Sequence, residues 1–474
     1  MRVPQSGLLV YFLFVLAACS SSAMAQVPQA PDIPDLPQGV VLPEVPGEGG
    51  SPRLINSSSA AAFRAIILPE LYGLVRSDAF QMEAARRLQY AWRYDDEFER
   101  NSLSPYTGGL SENGWLQPGD LFRRWFVFGN AQELEKEESA VLQGQKILWN
   151  INSVWWSQGS CEADFELFNA AADRREQVMS GAFRRIYPRS MDNADAGDQL
   201  FRELISFSQP AFLSGLAWLT FRFITPDEDV LWLHSPAIGK TRELTGANRA
   251  DPMARSAFSP DDLLVWSGKP SLVQARLDRI LTALVPFSRP DMAQLSAQDR
   301  ECEKLSAADI NRGLKWNFDS LRFVDGSPWL PVGPLFIPRR LYRVELVSRD
   351  PFSLYGRQML YVDASMMLPV YKVVFDRAGR LWKIVMAAPG LAASQDRTRR
   401  MPYYAWIVAV DFLKNQSSIV QFSSAAYCRR FGSHIKLSDF DPRRLDPEGG
   451  ESGEPAASPA ATAAPDDSDA ETDD

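Results

Sequence analysis

The chain has 474 residues, 45% of them hydrophobic and 23% charged, which is ordinary composition and enough for a large packed core spread over as many as two or three domains. Its formal charge of −9 is local: ten acidic and no basic residues lie from Asp446 onward, so residues 1–445 carry +1. A balanced body without a basic stripe speaks against nucleic-acid binding.

Arg2 precedes an apolar run from Gly7 to Ala18, the length of a signal-peptide core and too short to span a bilayer. Two cleavage readings stay open. Leu16-Ala17-Ala18-Cys19 has the form of a lipobox, in which Cys19 is diacylated; it is favoured because the cysteine falls at the end of the apolar run. Ser20 in the following position then directs the protein to the outer membrane, facing the periplasm. Ala23-Met24-Ala25 is an ordinary secretion site, which would leave a soluble periplasmic protein. Both readings export the body. Residues 1–25 are therefore read as signal peptide, 26–52 as a Pro-rich solvated tether, 53–435 as one folded domain and 436–474 as a disordered acidic tail.

The domain begins helix-leaning. Ser57-Ser58-Ser59 offers a cap before Ala60–Ile67, with Pro69 interrupting soon after. Glu70–Val75 and Gln81–Leu88 read as helical, and Asn130–Leu142 is a stronger helix signal running into Gln145–Asn150. From Asp164 a two-residue alternation starts, with Phe165 and Leu167, then Val178–Tyr187. Gln199–Phe207 looks like a short helix, Gly215–Ile224 and Asp229–His234 are strands, and Lys240–Leu244 is a third. Asp261-Asp262 are expected to cap a short helix reaching Trp266, and Thr282–Arg312 to mix loop and helix before the sheet resumes at Leu314–Phe318.

The clearest pattern lies between Arg339 and Phe422. Tyr342, Val344 and Leu346 alternate with charged residues; Gln358–Val362 and Val370–Phe375 follow as further runs. Asp376-Arg377-Ala378-Gly379 supplies a hairpin connection with glycine where positive φ is commonly needed. Then come Leu381–Met386, a run with Tyr404, Trp406, Val408 and Val410 on one face, and another with Ser418, Val420 and Phe422. Consecutive alternating runs separated by turns predict an antiparallel sheet with an aromatic face.

Catalysis finds little support. The two histidines are His234, on a strand beside Trp232, and His434. No His-Glu-x-x-His, Gly-x-Ser-x-Gly or Cys-x-x-Cys pattern occurs, and the Gly-rich residues 47–50 lie in the tether. No enzyme activity, cofactor or metal is expected. If Cys19 is lipidated, Cys161, Cys302 and Cys428 remain, allowing one disulfide. The polar, Glu-rich surroundings of Cys161 and Cys302 favour that pair, with three free thiols as the alternative.

Several stretches in this order carry a family resemblance: Leu68–Ser77, Lys146–Asn150, Gly215–Phe223, Val230–Ala237 with Gly239–Leu244, Phe258–Leu263, and Tyr355–Lys383 with its Leu360-Tyr-Val-Asp363 and Leu368-Pro-Val-Tyr-Lys372. Taken together, they resemble a bacterial exported family of unknown function, described as outer-membrane lipoprotein-sorting-like and sharing the fold of the Lol lipoprotein carriers. The resemblance covers most of the mature chain except tether and tail. It implies an α+β fold: a strongly curved antiparallel β-sheet, a half-closed barrel, with helices covering the concave face and a cavity for acyl chains between them. On that basis Trp218, Phe221, Trp232, Tyr361, Tyr371, Trp382, Tyr404 and Trp406 are candidate cavity residues, and Trp382→Glu is expected to lose ligand. Lys240, Arg242, Arg397, Arg399 and Arg400 are candidates for headgroup or partner contact, although Glu243 stands beside the first pair where the family is typically basic. The implied partners are a lipid or acyl chain, the membrane through a lipid anchor, and a transporter or outer-membrane barrel. A non-transporting envelope adaptor is the competing reading.

Overall fold

The structure, a computed structural model, describes residues 34–44, 51–86, 108–111, 114–116, 126–153, 159–171, 174–188, 197–225, 228–288, 292–298, 302–311, 335–396, 400–429 and 435–445. Cys19, Arg397, Arg399, His434, the run at 314–318 and most of the tether and tail lie outside them. The N-terminal part holds β1 (Arg53–Ile55), α1 (Pro69–Arg76), β2 (Met82–Ala84), α2 (Ala131–Leu134) and α3 (Ala140–Ile151). A meander follows: β3 (Gly159–Ala171), β4 (Arg174–Ile186), β5 (Gln199–Gln209), β6 (Ala217–Phe223), β7 (Val230–Ser235) and β8 (Lys240–Leu244). Next are β9 (Val273–Phe287), the short β10 (Ala293–Gln294), β11 (Ser296–Ala297) and β12 (Cys302–Leu305), and α4 (Ala307–Asn311). The last series is β13 (Leu335–Ser348), β14 (Arg357–Asp363), β15 (Leu368–Phe375), β16 (Leu381–Ala393), β17 (Arg400–Asp411) and β18 (Gln416–Arg429).

The main run of the sheet is antiparallel throughout, in the spatial order β9-β13-β14-β15-β16-β17-β18-β3-β4-β5-β6-β7-β8. The two series join where β18 lies along β3, from Gln416 opposite Ala171 to Arg429 opposite Gly159. Among the described residues β8 pairs with β7 alone and β9 with β13 alone, so the sheet does not close. The chain must then travel from one free edge to the other. Residues 245–272 make that journey as a strap across one face, called the inner face below. Register fixes which side chains share it. Ala163, Phe183, Ile205 and Trp218 form one cross-strand row, and Ile407, Val420 and Leu167 another.

The alternation expected between Arg339 and Phe422 is present as β13–β18, and Gly379 has φ +76 in its hairpin. Other expectations fail for identifiable reasons. Gln199–Phe207 is the strand β5, because pairing with β4 and β6 outweighs its local helix-like spacing. Gln81–Leu88 contains β2 rather than a helix, held antiparallel to β1 and parallel to β13. Thr282–Phe287 belongs to β9, whose partner β13 is distant in sequence and leaves no hairpin signal. The helix expected from Asn130 is two helices. Asn130 Oδ1 accepts from the N–H groups of Gln132 and Glu133, and Ser139 Oγ accepts from Leu142 N–H to start the second. Pro69 opens α1 as its first residue rather than interrupting a helix. Within the tether, Val40 and Leu42 are buried on the body while Val41 is 80% exposed. At the other end Ile435 and Phe440 pack with Ile186, Leu204, Ala217 and Leu219, so the fold continues past residue 436.

The disulfide joins Cys302 to Cys428, and Cys161 is free and buried, which corrects the expected Cys161–Cys302 pair. β12 lies on β18 so that Cys302 and Cys428 are direct partners with Cα atoms 4.1 Å apart. Cys161 is instead the partner of Tyr427, and both line the inner face. Burial pushes its thiol up to about 12.

Candidate functional site

The strap carries Pro252, Pro260 and Pro270, and its order is limited to 3-10 turns at Gly246–Ala250, Pro260–Asp262 and Pro270–Leu272. Ser259 and Asp262 form a capping box, as Asp261-Asp262 suggested. The expected helix to Trp266 does not form, because Leu264 and Val265 have φ of +50 and +72. Ala254 and Arg255 are also left-handed. Such conformations are costly for residues with a Cβ, most of all for a β-branched valine. The inner face of β3–β5 is therefore covered by irregular, strained backbone and not by a helix. On the opposite face Glu70 of α1 accepts from Tyr361 OH, and α3 lies against β9, where Gly144 comes so close that a Cβ would stand 2.7 Å from Arg276 N.

Irregular cover tiles a sheet imperfectly. Two adjoining hollows remain, with cavity volumes of about 30 and about 40 Å³ as the strap now lies, inside wider spaces that open to solvent. Both are lined by Phe183, Leu264 and Phe422. The first also takes Cys161 and Ala163 from β3, Tyr403 and Tyr404 from β17, and Ala425 and Tyr427 from β18. The second takes Phe165, Leu167, Ile205, Phe207, Ile407 and Val420 from the sheet, roofed by Met253, Phe258 and Leu263 from the strap. The lining residues with polar groups are Cys161, Glu162, Tyr403, Tyr404 and Tyr427 in the first, and Ser256 and Asp262 in the second. Gly181 is required beside this wall: a Cβ there would meet Ser206 O at 2.4 Å and the Phe165 ring at 2.6 Å.

Buried charge fastens the strap at two places. Toward β6 and β7, Asp229 lies 2.7 Å from Arg222, 3.5 Å from Arg249 and 3.8 Å from Lys269. The same arginines donate to the Ser267 carbonyl, and Arg249 also binds Asp261 at 2.7 Å. Burial opposes ionisation of Asp229, but Arg222 and Arg249 hold its carboxyl below the usual range. Toward β15 and β16, Asp262 is fully buried and meets Lys372 Nζ at 2.6 Å and Lys383 Nζ at 2.7 Å. Burial would raise this carboxyl too; the two ammonium groups keep it far below the ordinary value. Lys372 is lowered by its own burial, with Asp262 acting against that. Ser259 Oγ shares a 2.9 Å hydrogen bond with Tyr355 OH, and Ala257 N–H donates to Ser418 Oγ at 2.8 Å.

The eight aromatic candidates do not converge. Tyr404 lines a hollow, and Trp218 stacks edge-on against Phe207, which lines one. Phe221 and Trp232 pack on each other in the separate cluster around Phe440. Tyr361 and Tyr371 turn to the opposite face, where their hydroxyls donate to Glu70 and to the Leu284 carbonyl. Trp382 packs with Ala250, Tyr355 and Val374. Trp406 is fully buried but out of phase with Ile407; a register shift between Ala388 and Pro389, opposite Trp406 and Tyr404, separates the fates of those two. Lys240 and Arg242 are exposed on the edge strand β8, where charge discourages further strand pairing. Arg400 begins β17. His234 is buried, with Nδ1 3.1 Å from Thr241 Oγ1 on the neighbouring strand. Phe165, Phe183, Ile205, Phe207 and Phe422 were the signal that mattered: inward members of alternating runs, visible as such only once β5 is known to be a strand.

Among the described residues no cluster of metal-ligating side chains occurs, and no helix is long and apolar enough to cross a membrane. A family model described as "Protein of unknown function (DUF1329)" matches residues 141–445. No curated protein matches. Among solved structures, the chain is similar to a protein described as an outer membrane lipoprotein-sorting protein domain from Vibrio parahaemolyticus (16% identity, TM-score 0.43, 64% of this chain and 98% of that one). It is also similar to a DUF1329 family protein from Desulfovibrio piger (14%, 0.43, 65% and 99%) and to a LolA superfamily protein from Nitrosomonas europaea (16%, 0.37, 64% and 100%).

Proposed function

Since the chain belongs to the family described as protein of unknown function (DUF1329), we propose that it is a non-enzymatic, exported protein that binds a hydrophobic ligand between the inner face of β3–β5 and the strap. The observation that carries this reading is the pair of adjoining apolar hollows roofed by strained, irregular chain. Burying an acyl chain is worth roughly 0.8 kcal/mol per methylene, on the order of 10 kcal/mol for a long tail. Displacing Met253, Phe258, Leu263 and Leu264 with the strap would enlarge the apolar surface a tail can reach, and the strained backbone lowers the cost of that displacement. The ligand would partition in, the strap would close, and a receptor with a better apolar site would take it over. Export with Cys19 lipidated would hold the body at the outer membrane within reach of a transporter or barrel partner.

Native mass spectrometry and organic extraction of the purified mature protein test this reading. A co-purifying lipid or other apolar molecule is the expected result. The strap's own side chains fill much of the inner face, which favours a second reading as a packed envelope adaptor. An empty protein that takes up no acyl compound would select that one. Palmitate labelling of the wild type and of Cys19→Ala tests the anchor.

A further inference from the structure

One pair of buried cations lies behind Asp262, which lines the second hollow while the cations do not. Lys372 and Lys383 come from adjacent strands, are almost wholly buried, and share the single carboxylate of Asp262, one oxygen each. Lys372 Nζ also donates to the Asp261 carbonyl at 2.7 Å. Asp411, opposite Lys383 in register, is committed elsewhere: it accepts from Trp382 Nε1 at 3.2 Å and from the backbone N–H groups of Leu413 and Lys414. Two buried ammonium groups therefore depend on one acid that belongs to the strap. Directly after that acid come Leu263 and Leu264, and all three residues line the same hollow. An acid followed by branched apolar groups has the layout of an anionic amphiphile.

We propose that Lys372 and Lys383 form a headgroup site for an acyl ligand with an anionic head, and that Asp262, Leu263 and Leu264 occupy it as an internal stand-in when the strap is closed. A carboxylate or a phosphate can offer the two acceptor oxygens that Asp262 now supplies, so exchange of strap for ligand leaves neither lysine bare. The inference rests on the ligand-binding reading above and adds the chemical class of the ligand.

The test uses delipidated mature protein carrying Cys19→Ala, titrated with palmitate, 1-palmitoyl lysophosphatidate and methyl palmitate below their micellar concentrations. Wild type is expected to bind at least one acid about tenfold or more tighter than the ester; the tighter acid identifies carboxylate or phosphate as the natural head. Asp262→Asn, which weakens the internal competitor, is expected to raise acid affinity about tenfold and ester affinity less. Lys383→Met should erase the preference. Ser259→Ala, which removes the hydroxyl contacts to Tyr355 and to Asp262 and leaves both lysines in place, should move acid affinity in the same direction as Asp262→Asn by a smaller factor. Acid and ester bound equally by wild type, or acid affinity lowered in Asp262→Asn with an unchanged circular dichroism spectrum, would overturn the headgroup site and leave the apolar site standing. Failure of every acyl compound to bind any of these proteins would overturn both.

Discussion

The face of β14–β17 that carries Tyr361, Tyr371 and Trp406 and the face of β3–β5 that carries Phe165, Phe183 and Phe207 are built alike: antiparallel, alternating and aromatic. They differ in cover. The first three side chains are fully buried, and the two tyrosine hydroxyls end on partners, Glu70 of α1 and the Leu284 carbonyl of β9. Regular elements, α1 and β9, meet that side. The second face lies under a strap whose left-handed residues and prolines prevent a repeating surface, and there the hollows remain. Aromatic content therefore does not locate a cavity; the regularity of what lies on top does.

The sharpest way to break this comparison is to place a charge in each region. Phe183→Asp, between the two hollows, should abolish recovery of a bound apolar ligand, whereas Trp382→Glu should keep it because Trp382 packs beside Tyr355 and Val374 instead. Ligand retained by the first and lost by the second would reverse the assignment. Truncation of the first face comes next. Trp406→Ala should cost about 3–5 kcal/mol in chemical denaturation, as for a fully buried tryptophan, without changing ligand stoichiometry.

Acid should distinguish the regions more gently. Asp229 and Asp262 have depressed pKa values, so the stability they lend the strap is fully present above the ordinary aspartate value of 3.8 and is lost as pH falls through their folded values. Hydrogen exchange should find residues 251–268 equally protected from neutrality to about pH 4, then released at lower pH before β14–β16. Simultaneous loss in both would deny the strap its separate fastening. The smallest effect is expected at the edge: Arg242→Ala should change stability by less than about 0.5 kcal/mol and ligand recovery not at all.

Much of the sheet was legible because alternation is a local property. β13–β18 could be read from Tyr342-Arg-Val-Glu-Leu346 onward, as could the hairpin at Gly379. β5 and β9 were not, since their partners lie across the sheet and their own spacing is ambiguous. The aromatic candidates illustrate a sharper limit. A one-residue change of phase separates Trp406 from Ile407, and only the second lines a hollow. The disulfide shows the same dependence on register: Glu-rich surroundings suggested Cys161, but the pairing of β12 with β18 set Cys302 against Cys428.

The residues alone determined that the chain builds a broad antiparallel sheet, that its acidity belongs to the last residues, and that no familiar catalytic constellation is present. These follow from periodicity, charge placement and side-chain inventory, which need no partner to be read. The order of strands, with β18 closing onto β3, was decided only in three dimensions, and with it the free edges at β8 and β9. That order forces residues 245–272 across the inner face and brings Asp262 between two lysines more than a hundred residues away. Where space is left in such a protein is a property of how one segment lies over another, and no local pattern encodes it.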